Sequence, residues 1–212
     1  MASIRVYRIG RMPNPWEFPS WSKANPDGTF ANRFDDPDGI YRVLYASSSR
    51  LGCFLETLAR YRPDMKLYAE LNQIEGENDF VPLGVVPRDW FQNRLISEAD
   101  ADGCFADVGS SDWIETLRRD LALAQLLSEL GIPDFDAAVL QSSTKRIVTQ
   151  TVSRRVFEKG SNGIRYLSKY GHEIVNWALF EPARLNNLFD RRIQPDDPDL
   201  RKALDLFRLK LE

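Results

Sequence analysis

The segment NRFDDPDGIYRVLYASSSRLGCFLE, residues 32–56, combines three local patterns in a row. Its Asp, Pro and Gly residues predict a turn around Arg33. Residues 40–46, IYRVLYA, are rich in β-branched and aromatic side chains and predict a strand that carries Tyr45. A helix that carries Glu56 is predicted next. Turn, strand and helix therefore deliver a cation, an aromatic hydroxyl and a carboxylate in succession.

The predicted helix is recognised by its cap and its apolar stripe. A serine of the run 47–49 can cap it, and Pro63 stops it. Apolar residues follow at positions i, i+3, i+4 and i+7, namely Leu51, Phe54, Leu55 and Leu58. On a helical wheel of about 100° per residue, Glu56 lies roughly 150° from this stripe, beside Cys53 and Arg60. Its side chain is therefore expected to face solvent or a cleft.

Strands and helices are predicted along the rest of the chain. Strands are expected at residues 4–9, 66–74, 80–86, 136–141, 163–168 and 174–180, the last two as a hairpin, and helices at 113–130, 143–158 and 196–212. For 66–74 a helix stays open as the alternative. Asp112 and Glu115 resemble a capping box before the first of these helices, and Gly131 closes it. Residues 11–39 form a long loop or flap, in which Trp16, Phe18 and Trp21 either close over a ligand or pack on the core.

This order favours an α+β fold over a parallel βαβ layout. No Gly-rich dinucleotide or phosphate loop follows a predicted strand, which disfavours Rossmann and P-loop folds. With 212 residues the chain is expected to form one domain, 1–212. Its core is expected at about 4–182, including a helical insertion at about 87–135, and its C-terminal amphipathic helix at about 196–212.

Composition narrows the function classes. The net charge is −3 and no basic tract occurs, which disfavours direct nucleic-acid binding. The two cysteines are too few for a disulfide framework or a thiolate metal site. Neither a signal peptide nor a membrane-spanning run is recognisable, so a soluble, cytoplasmic protein without membrane contact is expected.

The single histidine, His172, lies in the segment KYGHE, which is predicted to be a loop. Ser-His-Asp and Cys-His mechanisms need an imidazole base, and most zinc sites use histidine ligands. No metal is therefore expected, and the chemistry must use carboxylate, hydroxyl and guanidinium groups.

At five positions the chain resembles the RES-domain family, named for its arginine, glutamate and serine: Arg8, Arg33, Tyr45, Glu56 and Ser168. The matching segments are Tyr7-Arg8, the turn 32–39, Leu44-Tyr45-Ala46, Leu55-Glu56-Thr57, Gly163–Ser168 and Asn176–Phe180. The chain departs from the family pattern where Phe34 replaces a usual Trp, Leu167 a usual Pro, and Asp35-Asp36 an Asn-Pro pair.

The resemblance implies an ADP-ribosyltransferase-like fold with a split, strongly bent β-core that holds NAD in a cleft. It implies an NAD-consuming enzyme of a bacterial toxin–antitoxin pair, neutralised by a helix-turn-helix antitoxin. NAD is then a substrate, and no other cofactor is expected. The acceptor of ADP-ribose stays open between water, phosphate and a protein, so the activity is hydrolysis, phosphorolysis or ADP-ribosyl transfer.

The same resemblance assigns roles to residues. Glu56, Arg33 and Tyr45 are the expected catalytic residues. Glu56 places negative charge beside the ribose cation that forms when nicotinamide leaves, as a glycosidase carboxylate does. Arg8 and Arg33 supply forked donors to phosphate or ribose oxygens. Tyr45 stacks on nicotinamide or bonds its amide, and Ser168 bonds the substrate or orients Glu56; Arg8, Arg33, Tyr45 and Ser168 are the expected NAD-binding residues.

Structural alternatives exist for each of these residues. Glu56 is otherwise a solvated helix residue, Arg8 an outward-facing strand residue, Arg33 a partner of Asp35 or Asp36, Tyr45 a core residue and Ser168 a turn cap. Lower in rank as phosphate ligands are the residues around the start of the 143–158 helix, Ser142, Ser143, Arg146 and Gln150.

Two other functions and one further partner also stay open. The first is a catalytically silent nucleotide-binding or interaction protein, favoured by the acidic pair Asp35-Asp36. The second is an unrelated α+β enzyme such as a glycosidase. The stripe of the C-terminal helix can dock on the domain, or serve a homo-oligomer or antitoxin interface.

Overall fold

The computed structural model describes residues 2–66 and 84–212, which form one mixed α+β domain. The strands are β1 (Ala2–Arg11), β2 (Val43–Ser47), β3 (Gly84–Val86), β4 (Arg94–Gly103), β5 (Phe105–Asp107), β6 (Gly163–Ser168), β7 (Gly171–Phe180), β8 (Arg184–Arg192) and β9 (Leu209–Leu211). Seven of them form a sheet in the order β5-β6-β7-β2-β1-β4-β8, and β3 pairs with β9.

The helices lie on the two halves of this sheet. They are α1 (Arg50–Leu58), α2 (Asp89–Gln92), α3 (Ser111–Arg118), α4 (Leu121–Glu129), α5 (Ala137–Ser142), α6 (Arg146–Glu158) and α7 (Pro198–Phe207), with short 3-10 turns at Trp21–Lys23 and Ala59–Tyr61. One apolar core joins α3–α6 to β6 and β7, and another joins α1, α2 and α7. Among the described residues, no helix is long and apolar enough to cross a membrane.

The sheet is split between β1 and β2. These strands share one registered pair, Tyr7 with Ser47, whereas β1 pairs with β4 along its whole length, from Ala2–Gly103 to Arg11–Arg94. The expected split β-core is therefore present. It divides the sheet into β5-β6-β7-β2 and β1-β4-β8, with α1 leaving β2 at the division.

Several local predictions are confirmed. Ser49 caps α1 by accepting a hydrogen bond from the Gly52 N–H at 3.0 Å, and Phe54, Leu55 and Leu58 are buried. The strands predicted at 4–9, 40–46, 163–168 and 174–180 correspond to β1, β2, β6 and β7, and the helix predicted at 143–158 corresponds to α6.

Residues 136–141 are wrongly predicted as a strand. They form the helix α5, because the Asp136 side chain accepts a hydrogen bond from the Val139 N–H at 2.7 Å and caps it. The predicted helix 113–130 is two helices, since Asp120 caps a second one after the first has ended. The first is capped by Ser110 and not by the pair Asp112 and Glu115.

The prediction of a helical insertion at 87–135 is also wrong. This stretch contains β4, which lies inside the sheet between β1 and β8. β4, β5 and β8 are not predicted from the sequence. The tail expected as one helix at 196–212 ends at Phe207 and continues as β9.

Two predicted strands coincide in part with residues that are not described. Most of the one at 66–74 lies outside the described residues. Of the one at 80–86, the described part is β3.

The aromatic residues of the 11–39 loop differ in their burial. Trp16 is buried against Val6, Leu44 and Ala99, and its Nε1–H donates to Ser97 Oγ at 2.6 Å. Trp21 is exposed and stacks near Phe30. Core packing is thus confirmed for Trp16, which anchors the start of the loop under the sheet.

Candidate active site

An open cleft of about 1320 Å³ lies where the sheet splits. Its walls come from β1, the turn around Arg33, β2, α1, the segment 141–146 and the β6–β7 hairpin. All five residues that carried the family resemblance line it: Arg8, Arg33, Tyr45, Glu56 and Ser168. Residues separated by up to 160 positions in the sequence are therefore brought to one cavity.

Glu56 presents its carboxylate on the exposed face of α1, as the helical wheel predicts. Its Oε1 accepts two hydrogen bonds at 2.6 Å, from Ser168 Oγ and from Asn176 Nδ2. Both donors are buried, with 5% and 1% of their surface exposed. No described residue bonds Oε2, so the carboxylate is held by one oxygen and offers the other.

Arg33 lines the cleft and forms no ion pair with a described carboxylate, although Glu56 is near enough to interact with its charge. Its Nη2 donates to the Leu140 carbonyl, and its guanidinium lies 5.2 Å from the centre of the Phe34 ring and 5.5 Å from that of Tyr166. Burial lowers the pKa of Arg33 and Arg146 nearby lowers it further, whereas Tyr166 and Glu56 raise it. The net decrease does not deprotonate an arginine at neutral pH, so a half-buried cation faces the cleft.

The acidic turn after Arg33 is directed into the protein. Asp35 accepts hydrogen bonds from Asn32 and from the Tyr45 hydroxyl, while Asp36 accepts one from Ile40 and pairs with Arg154. Only 3% of the Asp35 surface and 2% of the Asp36 surface is exposed, and burial raises the pKa of both carboxyls. The alternative in which these aspartates neutralise Arg33 is wrong, and they do not line the cleft.

Arg8 bridges the split in the sheet. From β1 its Nη1 donates to the Tyr45 carbonyl of β2 at 2.6 Å, and its Nε donates to the Pro15 carbonyl at 2.7 Å. Burial lowers the pKa of Arg8 to about 10, and no described carboxylate pairs with it. Arg8 therefore has a structural role at the split and also adds an unbalanced positive charge to the cleft.

The hydroxyl of Tyr45, which was expected to bind NAD, instead holds the turn around Arg33. Its hydroxyl donates to Asp35 Oδ1 and accepts from the Phe34 N–H, both at 2.9 Å. Its ring still lines the cleft. The hydroxyl is therefore already satisfied within the protein, and only the ring face stays available for stacking.

Tyr166 is a cleft residue to which the sequence analysis gave no role. It lies on β6 with its ring 4.7 Å from that of Phe34 and beneath Arg33, and no described residue bonds its hydroxyl. Burial raises the pKa of Tyr166, and Glu56 adds to the increase. Its place in the segment Gly163–Ser168, two residues before Ser168, was the available signal.

Asn176 was also missed, although it begins the matched segment Asn176–Phe180. A sequence pattern cannot show that its amide reaches Glu56, because the two are 120 residues apart. Of the lower-ranked candidates, Ser142, Ser143 and Arg146 line the cleft, whereas Gln150 does not. Gln150 instead donates to the Phe30 and Asn32 carbonyls and supports the loop.

The cleft is basic although the whole chain is acidic. Its described lining includes five Arg or Lys side chains, namely Arg8, Arg33, Arg60, Arg146 and Lys169, and one carboxylate, Glu56. His172, expected in a loop, lies on β7 and lines the cleft too. No set of three His, Cys, Asp or Glu side chains within residues 2–66 and 84–212 is arranged to hold a metal. The arrangement can bind an anionic ligand along one side and present a carboxylate at another.

Comparisons with known proteins agree with this fold. The family model described as the RES domain matches residues 5–201. The fold is similar to a chain of the crystal structure of the M. tuberculosis MbcT-MbcA toxin-antitoxin complex, with a TM-score of 0.54 and 11% sequence identity over 97% of this chain and 89% of that one. No curated protein matches the sequence.

Proposed function

Since this chain belongs to the RES-domain family, we propose that it is an enzyme that consumes NAD+ by cleaving the bond between nicotinamide and ribose. The observation that carries the proposal is the Glu56 carboxylate, held through Oε1 in a cleft whose other charged groups are cations. A dinucleotide has the matching features, since its pyrophosphate is anionic and its reacting ribose becomes cationic.

The proposed reaction breaks the bond from ribose C1′ to the nicotinamide nitrogen. Nicotinamide leaves as a neutral base with the electron pair of that bond, and the ribose becomes oxocarbenium-like. The Oε2 atom of Glu56 lies against the ribose and stabilises this positive charge, which is on the ribose because nicotinamide leaves as a neutral molecule. An oxygen of water, phosphate or a protein side chain then bonds to C1′ and releases its proton.

The cations of the cleft are suited to binding the pyrophosphate of NAD+. Neither Arg33 nor Arg8 forms an ion pair with a described carboxylate, and both are half-buried, so a pyrophosphate would relieve the cost of that burial. The Tyr45 and Tyr166 rings give flat apolar surface beside them. This division supports assigning phosphate binding to the arginines and catalysis to Glu56.

We also propose that the protein acts as a toxin in the cytoplasm, where NAD is available, and that a protein antitoxin neutralises it. The MbcT-MbcA structure, whose fold is similar, is a toxin-antitoxin complex. Expression of the wild type alone is expected to lower cellular NAD and stop growth, and Glu56→Gln is expected to do neither. Growth arrest by both proteins would contradict an NAD-based toxicity.

The enzymatic test is nicotinamide release from NAD+ by the purified protein, with and without added phosphate. Glu56→Gln keeps the shape of the side chain and removes its charge, so kcat is expected to fall by about 10²–10³ while NAD binding is retained. Glu129→Gln, an exposed glutamate on α4, is the matched control and is expected to leave the rate unchanged.

Four outcomes separate the alternatives. Release that needs phosphate identifies phosphate as the acceptor, and release without it identifies water. Release that Glu56→Gln leaves at the wild-type rate contradicts the role of the carboxylate. Absence of release, together with absence of ADP-ribose transfer to added protein, would leave a silent binding protein as the better account.

A further inference from the structure

Asn176 occupies a buried position beneath Glu56. It lies on β7, opposite Ser47 of β2 and Tyr166 of β6, and 1% of its surface is exposed. Its Nδ2 donates to Glu56 Oε1 at 2.6 Å, a short distance that fits a bond to an ionised acceptor. A carboxylate on a helix is thus tied to the middle of the sheet.

The second donor to the same oxygen is itself fixed. Ser168 Oγ accepts the Tyr170 N–H at 3.0 Å and donates to Glu56 Oε1 at 2.6 Å, so its hydroxyl proton is directed at the carboxylate. Two donors from adjacent strands therefore converge on Oε1. Since two bonds to one oxygen limit rotation about the carboxyl group, they also determine where Oε2 lies.

The oxygen of the Asn176 side-chain amide is placed less favourably than its nitrogen. Its Oδ1 is buried and no described residue donates to it. A buried acceptor without a partner lowers the stability of the fold, so stability alone does not account for a polar residue here. What the position provides is the donor directed at Glu56.

We propose that Asn176 is a positioning residue that, with Ser168, holds Glu56 Oε1 and so presents Oε2 to the reacting ribose. The inference deepens the proposed function and rests on it for the identity of the substrate. Asn176 does not touch the substrate in this account; it acts through Glu56.

The test is Asn176→Asp, which keeps the shape and replaces the donor with a second carboxyl beside Glu56. Below the upper pKa of this pair, one shared proton lets the new carboxyl donate to Glu56; above it, both are charged and repel. We therefore expect kcat to fall about 10- to 100-fold at alkaline pH and to recover as the pH is lowered, with KM for NAD nearly unchanged.

Asn186→Asp is the matched control. Asn186 lies on β8 outside the cleft, and its Nδ2 also donates to a carboxylate at 2.6 Å, Asp102 Oδ2. It is expected to keep the wild-type kcat and pH profile. The other titratable groups that line the cleft are common to all variants: Arg8, Arg33, Tyr45, Cys53, Arg60, Arg146, Tyr166, Lys169, Tyr170 and His172.

A spectroscopic measurement makes the test independent of activity and of the folding of Asn176→Asp. In ¹H–¹⁵N NMR at neutral pH, a side-chain amide proton of Asn176 is expected to lie downfield because it is donated to a charged oxygen, and to move upfield in Glu56→Gln. Asn176 amide protons at the same position in the two proteins would overturn the inference whatever the enzyme does.

The outcomes for the function and for the inference are distinct. If the wild type releases nicotinamide and Asn176→Asp keeps its rate and profile, the inference is wrong and the proposed function stands. If the wild type has no activity on NAD, the proposed function is wrong, and the NMR comparison alone decides whether Asn176 holds Glu56.

Discussion

Arg8 and Arg33 differ from Arg154 in the groups that accept hydrogen bonds from their guanidinium. Arg154 contacts the carboxylate of Asp36, whereas Arg8 and Arg33 donate to backbone carbonyls and have no described carboxylate partner. The chain has 31 acidic and 28 basic side chains, so carboxylates are not scarce. The lack of a carboxylate in direct contact with either arginine suits a cleft that binds an anion.

The two cleft tyrosines are expected to respond differently to loss of the hydroxyl. Tyr45→Phe leaves buried Asp35 and the Phe34 N–H short of a bond, so it should lower the free energy of unfolding by about 1–3 kcal/mol and raise KM through the loosened turn. Tyr166→Phe removes no described bond, so it should change stability by less than about 0.5 kcal/mol and lower kcat/KM.

Urea unfolding and steady-state kinetics on both variants check this prediction. The reverse pattern, with Tyr166→Phe destabilising and Tyr45→Phe altering only turnover, would show that the free hydroxyl belongs to Tyr45 in solution.

At the scale of elements, α6 is the support of the Arg33 turn. Ser153 Oγ donates to the Phe34 carbonyl at 2.6 Å and Gln150 reaches the Asn32 carbonyl at 3.2 Å, while Arg154 pairs with Asp36 and Asp38. One helix face thus holds successive residues of the turn. The departure of this turn from the family pattern, Asp35-Asp36, is compensated by donors from α6 and β2.

Arg154→Met is expected to destabilise the protein by about 3–5 kcal/mol near neutral pH, because it leaves Asp36 buried without its cation. Burial already raises the pKa of Asp36 in the folded state above 3.8. The penalty therefore applies above that raised pKa and disappears as the pH falls through it, since a protonated Asp36 needs no cation.

Denaturant unfolding at several pH values measures this dependence. The control is Arg155→Met on the same helix, which removes partly exposed pairs with Asp120 and Glu158 and should cost at most about 1 kcal/mol. Equal losses in the two variants, or a loss from Arg154→Met that grows on acidification, would contradict the role given to Asp36.

At the scale of the whole molecule, the cleft exists because the sheet divides between β1 and β2. Past the pair Tyr7–Ser47, the carbonyl of Tyr45 is bonded by the side chain of Arg8 and not by a strand. The same guanidinium holds Pro15 of the long loop. A side chain therefore replaces part of a β ladder, and the space left beside it becomes the cleft.

Arg8→Lys is expected to weaken both stability and ligand binding. Lysine keeps the charge but cannot reach both carbonyls in the fork geometry of arginine, so the cost should be about 1.5–3 kcal/mol, with reduced protection of the Tm by ADP-ribose. Arg5→Lys, on the same strand and exposed, should leave both the stability and the protection by ADP-ribose nearly unchanged.

Thermal melts with and without ADP-ribose test this pair. If Arg8→Lys melts like the wild type and is protected equally by the ligand, Arg8 is not needed at the split.

Part of this arrangement was predictable from local pattern. The outward position of Glu56 followed from the spacing of Phe54, Leu55 and Leu58, because a helix with a clear apolar stripe fixes which face is exposed. β4 was not recognised because its buried positions include Ala99, Ala101 and Gly103, which give little hydrophobic contrast. β8 is exposed at nearly every residue and lacks the alternation of a half-buried strand.

Local sequence patterns are enough to predict the elements with strong caps and periodicity, and they name the side chains available for chemistry. Which atoms of those side chains are free depends on the tertiary structure. Glu56 Oε1 is bonded by residues 112 and 120 positions away, and the Tyr45 hydroxyl is taken by the turn it supports. The physical reason is that such bonds depend on strand register and on packing between distant elements, which no local pattern contains.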